Sequence, residues 1–243
     1  MLRTYTDQAI VLRTTKLGEA DLILTLLTLE HGQVRAVAKG LRRTSSKFGA
    51  RLSPFNRVKL QLHSGRNLDT ITQAESLSLH APRISSDYER YLSGQVMLET
   101  AEKLSEGEAS RSQYRLLAGA IPALANRAHR PGMVLSSYLL RTLAIAGWAP
   151  ALGECALCGA DGPFKVFSAP AGGVVCENCQ LSGGLHISMP VIDLLTALLA
   201  GQWPQVYQAD PLTQGIAEEV VTAYTEWVLE RKLKSLSVMA RKA

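Results

Sequence analysis

Apolar and polar residues alternate with a period of two over much of the first 80 residues, which is the period of a β-strand. The clearest case is RVKLQLH, where Val58, Leu60 and Leu62 fall on one face and polar or cationic residues on the other. Similar patterns, separated by turn residues such as His31-Gly32, predict several short strands and hence a small barrel or sandwich. The predicted strands are residues 9–14, 21–30, 33–40, 57–63 and 68–76.

The period changes to 3.6 after Ala81-Pro82, which predicts helices from there onward. Ser86 to Glu89 fits a capping box and predicts the start of the first long helix at Ser86. We expect an α+β protein with a barrel domain at 1–80 and a helical domain at 81–243. Further helices are predicted at 112–121, with Pro122 ending or kinking it, and at 132–146, 191–200 and 211–236.

The only four cysteines form two pairs with the spacing C-x2-C-x17-C-x2-C. A gap of two residues lets both thiolates of a pair face one tetrahedral ion at a Zn–S distance near ~2.3 Å. Residues 164–175 read as a hairpin that returns the second pair to the first. The spacing therefore predicts one structural Zn²⁺ in a module at residues 153–182, held by Cys155, Cys158, Cys176 and Cys179.

Other uses of these cysteines fit the sequence less well. The N-terminus has no apolar signal segment, which disfavours a disulfide framework. Neither a βαβ context for a redox pair nor the H-x-E of a zinc deaminase is present. Four thiolates would also leave no open position for a catalytic water. His186, seven residues beyond Cys179, is either a substitute ligand or an ordinary polar or packed histidine.

The basic charge is concentrated near the N-terminus. Residues 1–80 carry 12 Lys and Arg against 6 Asp and Glu, and no acidic residue occurs between Glu30 and Asp69. A basic segment of this kind can be an ordinary solvated surface. The length of this segment instead favours a phosphate-binding surface on the outside of the barrel. The predicted nucleic-acid-binding residues are Arg35, Lys39, Arg42, Arg43, Lys47, Arg51, Arg57 and Lys59. Phe48 and Phe55 belong either to the core or to a base-stacking platform.

The sequence contains no nucleotide-binding loop, nucleophile elbow, zinc-protease motif or two-metal acidic cluster. We therefore expect a binding protein, and the alternative is a hydrolase or nuclease whose catalytic residues converge only in three dimensions. Arg141 and other polar residues interrupt the most apolar stretches, which predicts no membrane span and a soluble, cytoplasmic protein.

Three segments, taken in order, resemble the RecO family of bacterial DNA repair proteins: AIVLRTTKLGEADLILTLLTLEHGQVRAVAKGLRR, SSKFGARLSPFNRVKLQL and LLRTLAIAGWAPALGECALCG. The resemblance implies an N-terminal OB-fold, a helical domain with a zinc module, and a nucleoid-associated role in the RecF recombination pathway. It also implies binding to single- and double-stranded DNA, strand annealing, and loading of RecA together with RecR onto DNA coated by single-strand-binding protein (SSB).

The resemblance further implies contact with the acidic C-terminal tail of SSB. Cations on the helical domain are the natural partners for that tail, and the candidates are Arg127, Arg130 and Arg141. The alternative function is that of another nucleic-acid-binding zinc protein, either RNA-binding or transcription-associated.

Overall fold

Five strands at the start of the chain close into a barrel with the order β1-β2-β3-β5-β4. The computed structural model describes residues 4–42, 46, 48–105, 109–179, 183–230 and 235. Antiparallel pairing of β1 with β4 and a short parallel pairing of β3 with β5 complete the closure. The strands are β1 Thr4–Leu17, β2 Asp21–Thr28, β3 Gln33–Ala38, β4 Arg57–His63 and β5 Asp69–Ser78.

The alternation in β4 directs its apolar residues into the barrel. Val58, Leu60 and Leu62 are each 0% exposed and pack with apolar residues from the other strands. A short 3-10 helix at Gly49–Leu52 contributes Leu52 to this core, which also includes the neighbouring Phe48. The barrel interior is therefore filled by side chains, as in other small barrels.

Three helices belong to the same compact unit as the barrel, Met1–Ala128. Helix α2 packs on β1 and β2. Ile10 follows Ala9 in β1 and therefore points to the opposite face of the strand, and both residues are buried. The cap prediction for α2 was wrong by one residue, because the backbone of Asp87 is extended and its side chain accepts from the Arg90 N–H. The helices are α1 Ala81–Ser85, α2 Tyr88–Leu104 and α3 Arg111–Ala125.

The second compact unit, His129–Ala243, contains four helices and the cysteine module. A three-stranded antiparallel sheet with the order β7-β6-β8 forms the module between α4 and α5. Helices α4 and α5 both pack against α7. The elements are α4 Pro131–Ile145, β6 Val166–Ser168, β7 Gly173–Val175, β8 Leu185–His186, α5 Met189–Ala200, α6 Trp203–Val206 and α7 Pro211–Val228.

The predicted fold class is confirmed: a closed barrel precedes a helical region that carries the four-cysteine module. Pro122 lies inside α3, three residues before its end, and does not terminate it. Helix α7 ends at Val228, and most of the predicted continuation to residue 236 lies outside the described residues. The predicted domain boundary at residue 80 stays a prediction, since the two compact units divide after Ala128.

Candidate metal centre and nucleic-acid interface

The four cysteines meet in one cluster. Their sulfur atoms all lie within 4.8 Å of one another, so the cluster could hold a metal ion. The Sγ atoms of Cys158 and Cys176 are 3.7 Å apart, far beyond the ~2.05 Å of a disulfide, and all four cysteines are free. Cys155 is 2% exposed, Cys158 is exposed, and Cys176 and Cys179 are half-buried.

The first pair lies on a tight turn. Gly159 follows Cys158 with φ +71°, a conformation that a residue with a Cβ adopts only with strain, and its N–H donates to the Cys155 carbonyl at 2.8 Å. The Cys155 N–H in turn donates to the Ala160 carbonyl at 2.9 Å. Gly159 therefore closes the turn that carries the first cysteine pair.

Backbone contacts bring the second pair up to the first. The Cys176 N–H donates to the Cys155 sulfur at 3.4 Å, and the Cys179 N–H donates to the Cys176 carbonyl at 3.0 Å. A bridge between Ala151 and Gly173 fixes the start of β7, where a Cβ on Gly173 would lie 2.3 Å from the Ala151 oxygen. Only glycine allows this close approach.

The thiols of the cluster influence one another. The hydrogen bond from the Cys176 backbone lowers the pKa of Cys155 to about 6, whereas a hydrogen bond with Cys158 raises the pKa of Cys179 to about 12. A hydrogen bond with Cys176 and burial raise the pKa of Cys179 further. Metal binding requires deprotonated thiols, so an ion would enter this cluster with release of protons.

The donor set fits a closed tetrahedral site for a thiophilic ion. Four sulfurs from two knuckles match a structural zinc site and leave no position for water. Among the described residues His186 is not part of the cluster; it is exposed on β8 and pairs with Val166. Cys155, Cys158, Cys176 and Cys179 would hold the ion, whose contribution would be to crosslink the two halves of the module.

The module is anchored to α7 and carries little positive charge. Phe167 on β6 packs edge-on against Tyr224 at 5.6 Å, and the Tyr224 hydroxyl donates to the Trp148 carbonyl at 3.2 Å. Lys165, the one cation between the cysteine pairs, forms a 2.9 Å ion pair with Glu177. These contacts connect the module to its own unit and offer no cationic surface for phosphate.

The predicted nucleic-acid-binding residues that the structure describes lie on β3, on β4 and in the segment that connects them. Arg35 projects outward from β3, and Lys39 and Arg42 lie in the segment that follows it. The Arg42 guanidinium donates to the Gly18 carbonyl at 3.2 Å, which holds this segment against the β1–β2 turn. Arg51 is exposed on the 3-10 helix.

The cations of β4 do not lie beside those of β3, because β5 lies between the two strands. Lys59 is exposed and pairs in register with Glu75 of β5. Arg57 is half-buried, and its Nε has no hydrogen-bond partner among the described residues. Two further candidates, Arg43 and Lys47, lie outside the described residues.

Both candidate phenylalanines are core residues. Phe48 is 2% and Phe55 3% exposed, so neither side chain is available for base stacking. Phe55 has φ +73°, and its ring fills the space over Gly94 of α2, where an added Cβ would lie 2.7 Å from Cε1. Its other ring neighbour is Tyr91 of α2, in an edge-on contact.

Asn56, which the sequence patterns did not single out, joins three elements of the barrel unit. It is 1% exposed; its Oδ1 accepts from the N–H groups of His80 and Ala81, and its Nδ2 donates to the carbonyls of Ala50 and Arg51. The 3-10 helix, β4 and the start of α1 therefore share one fully bonded side chain. A lone polar residue before a strand carries no sequence signal for this role.

The three candidate cations for an acidic tail belong to two different compact units. Arg127 belongs to the first compact unit, and its Nη2 lies 3.9 Å from Asp87. Arg130 and Arg141 belong to the second unit, where Arg130 contacts Gln214 and Glu218 of α7.

Within the described part of the chain, no helix has the length and apolar character to span a membrane.

The fold and the cluster together define a class: a basic five-stranded barrel followed by a helical region with a four-cysteine cluster that could hold a metal ion. Family models for the N-terminal and C-terminal domains of recombination protein O match residues 1–80 and 85–237. The chain is also 51% identical over 242 residues to a protein named DNA repair protein RecO from Nocardioides sp. (strain JS614), covering 98% of this chain and 99% of that protein. The chain belongs to the recombination protein O family, whose identity supports a role in DNA repair and recombination.

Proposed function

We propose that the protein is a DNA-binding recombination mediator. It binds single- and double-stranded DNA on the barrel, anneals complementary strands and, with RecR, helps to load RecA onto SSB-coated DNA on the bacterial nucleoid in the cytoplasm. The observation that carries the proposal is family membership combined with the charge distribution. Residues 1–128 hold 18 Lys and Arg against 12 Asp and Glu, whereas residues 129–243 hold 8 against 9.

The surface around β3 is the proposed centre of DNA binding. Arg35, Lys39 and Arg42 are exposed within a stretch that contains no carboxylate from residue 31 to 68. Lys59 is a weaker contributor because Glu75 lies opposite it in the register. Arg51 on the 3-10 helix and Arg57 on β4 are proposed as further contacts, and Arg43 and Lys47 are included on charge alone.

Strand annealing by such a surface needs no chemical step. Cationic side chains that neutralise phosphates lower the repulsion between two strands and raise their local concentration. Contacts to phosphate carry no sequence information, so binding is expected to be nearly independent of base sequence. Affinity for single-stranded DNA should fall with salt, with a logarithmic slope of about −0.7 for each phosphate contact.

The metal in the cysteine cluster is proposed to be one structural Zn²⁺. Four thiolate donors are typical of structural zinc sites. The described part of the second unit holds nine carboxylates against three cations, Arg130, Arg141 and Lys165, so the module does not favour phosphate. The ion thus stabilises the helical unit, where Arg130 and Arg141 are proposed contacts for the acidic SSB tail.

A salt titration of DNA binding tests the proposal. The variant K39Q/R42Q should reduce the logarithmic salt slope for a labelled single strand by about 1.4, since two phosphate contacts are lost. The matched control is R111Q/R115Q, which removes two exposed charges from α3 of the same unit. Equal slopes for the two variants would refute the barrel as the binding surface, and preference for RNA would favour the alternative zinc protein.

A further inference from the structure

A polar cavity of about 340 Å³ opens on the barrel unit where α1, the start of α2 and the end of α3 meet. Ala125 is its only apolar contributor. Three arginine side chains line it, one from α1, one from α2 and one from the segment that follows α3. We call it the arginine corner, and it is lined by Arg83, Ser86, Arg90, Ala125, Asn126 and Arg127.

Arg90 is the fixed member of the arginine corner. It is 4% exposed, and its guanidinium donates to the Ala125 carbonyl at 3.3 Å and to the Asp87 carboxylate at 3.1 Å. Arg83 is held from the side by a 2.8 Å hydrogen bond to Asn126 Oδ1. Arg127 extends into solvent, with 73% of its side chain exposed. A buried, oriented guanidinium is thus combined with two accessible ones.

Positive charge exceeds negative charge in the arginine corner. Among the described residues, Asp87 is the one carboxylate paired with it; hydrogen bonds from Arg90 hold the pKa of Asp87 below its ordinary value, so it stays ionised at neutral pH. Three arginines against one aspartate leave two positive charges uncompensated. Such a group favours a ligand with negative charge and several acceptor oxygens.

The arginine corner lies near the start of β4, where the barrel carries Arg57. The N–H of His80, just before α1, donates to Asn56, the residue before Arg57, at 2.9 Å. The start of β4 is therefore adjacent to α1, which carries Arg83 of the arginine corner. A strand of nucleic acid bound on this side of the barrel could pass from Arg57 to Arg83.

We propose that the arginine corner binds a backbone phosphate of nucleic acid and extends the DNA path from the barrel onto the helices of the same unit. This inference rests on the proposed function. A phosphate is favoured over the carboxylates of an acidic peptide, because Ala125 is the only apolar residue that lines the cavity and because the barrel carries Arg57 close to the start of α1. Guanidinium groups suit phosphate oxygens, which they bind in a bidentate manner.

The test compares single-strand binding by the wild type, R83Q/R127Q and the matched control R111Q/R115Q over a salt titration. Arg90 is left intact because its loss would strand Asp87 without its main partner. The logarithmic salt slope of R83Q/R127Q should be smaller than that of the wild type by about 1.4. The factor by which R83Q/R127Q binds more weakly than the wild type should therefore shrink about sevenfold between ~50 and ~200 mM salt. R83K/R127K, which keeps both charges, should retain the wild-type slope.

The outcomes separate this inference from the proposed function. If K39Q/R42Q weakens binding and R83Q/R127Q matches the control, the barrel binds DNA and the arginine corner does not. If the wild type binds no DNA, both proposals fail together. If R83Q/R127Q binds DNA like the control but loses binding to an acidic peptide, the arginine corner is a peptide site and the phosphate assignment is wrong.

Discussion

Replacing Asn56 with alanine should destabilise the barrel unit more than an ordinary single substitution does. The side chain is 1% exposed and makes four hydrogen bonds of 2.9 to 3.2 Å to backbone groups. A net ~0.5–1.5 kcal/mol for each bond places the loss at about 2–6 kcal/mol. Typical folding free energies are about 5–15 kcal/mol, so the barrel could lose a large share of its stability.

The assay must report on each unit separately. All three tryptophans, Trp148, Trp203 and Trp227, lie in the second unit, so tryptophan fluorescence follows that unit alone. Hydrogen exchange of the β1–β5 amides follows the barrel. We expect N56A to accelerate exchange in the barrel at moderate urea and to move the fluorescence midpoint much less.

The control for this experiment is N67A, since Asn67 is an exposed asparagine in the turn between β4 and β5. It should change stability by less than about 0.5 kcal/mol. The assigned role of Asn56 would be wrong if N56A and N67A gave equal barrel exchange rates. It would also be wrong if N56A lowered the stability of the second unit, measured by the fluorescence midpoint, as much as it lowered the stability of the barrel, measured by hydrogen exchange.

Three further predictions concern the metal, the anchor and the cap. The purified protein should contain one Zn per chain by elemental analysis. The variant C155A, or removal of the metal by a chelator, should lower the fluorescence-detected Tm by more than about 10 °C without changing DNA affinity. A selective loss of DNA binding would contradict the structural role of the metal. Tyr224→Phe removes the hydrogen bond to the Trp148 carbonyl and should cost about 1 kcal/mol by fluorescence-detected urea unfolding, and no change would show that this bond contributes nothing. The pKa of Asp87 is lowered by hydrogen bonds from Arg90, so the stabilising effect of Asp87 is present above its unfolded pKa and is lost as the pH falls through its folded pKa. The variant D87N should therefore make the stability of the barrel unit less dependent on pH below about pH 4. A variant with the same acid dependence as the wild type would argue against this linkage.

The sequence patterns predicted which residues face the barrel core but not how the strands are ordered. Alternation assigns Val58 to the interior, because it is a local property of one strand. The parallel pairing of β3 with β5 is a long-range contact, and it separates Arg35 from Lys59. Arg35 and Lys59 are therefore exposed cations on strands that are not neighbours, rather than members of one compact patch.

The four-cysteine cluster was predictable, whereas the cap of α2 and the arginine corner were not. Fixed spacing and the turn at Gly159 bring the thiols together through local geometry. At the cap, Ser86 and Asp87 are both acceptable cap residues, and the choice depends on the backbone: Ser86 is helical as the end of α1, and Asp87 is extended. The arginine corner depends on how three helices pack, which no spacing encodes.

Annealing of complementary strands coated with SSB tests the central claim most directly. The wild type should accelerate pairing, and K39E/R42E/R43E, with unchanged barrel hydrogen exchange, should abolish the acceleration, because reversed charges repel the phosphates. R111Q/R115Q should anneal like the wild type. A charge-reversed variant that anneals SSB-coated strands as fast as the wild type would contradict the account.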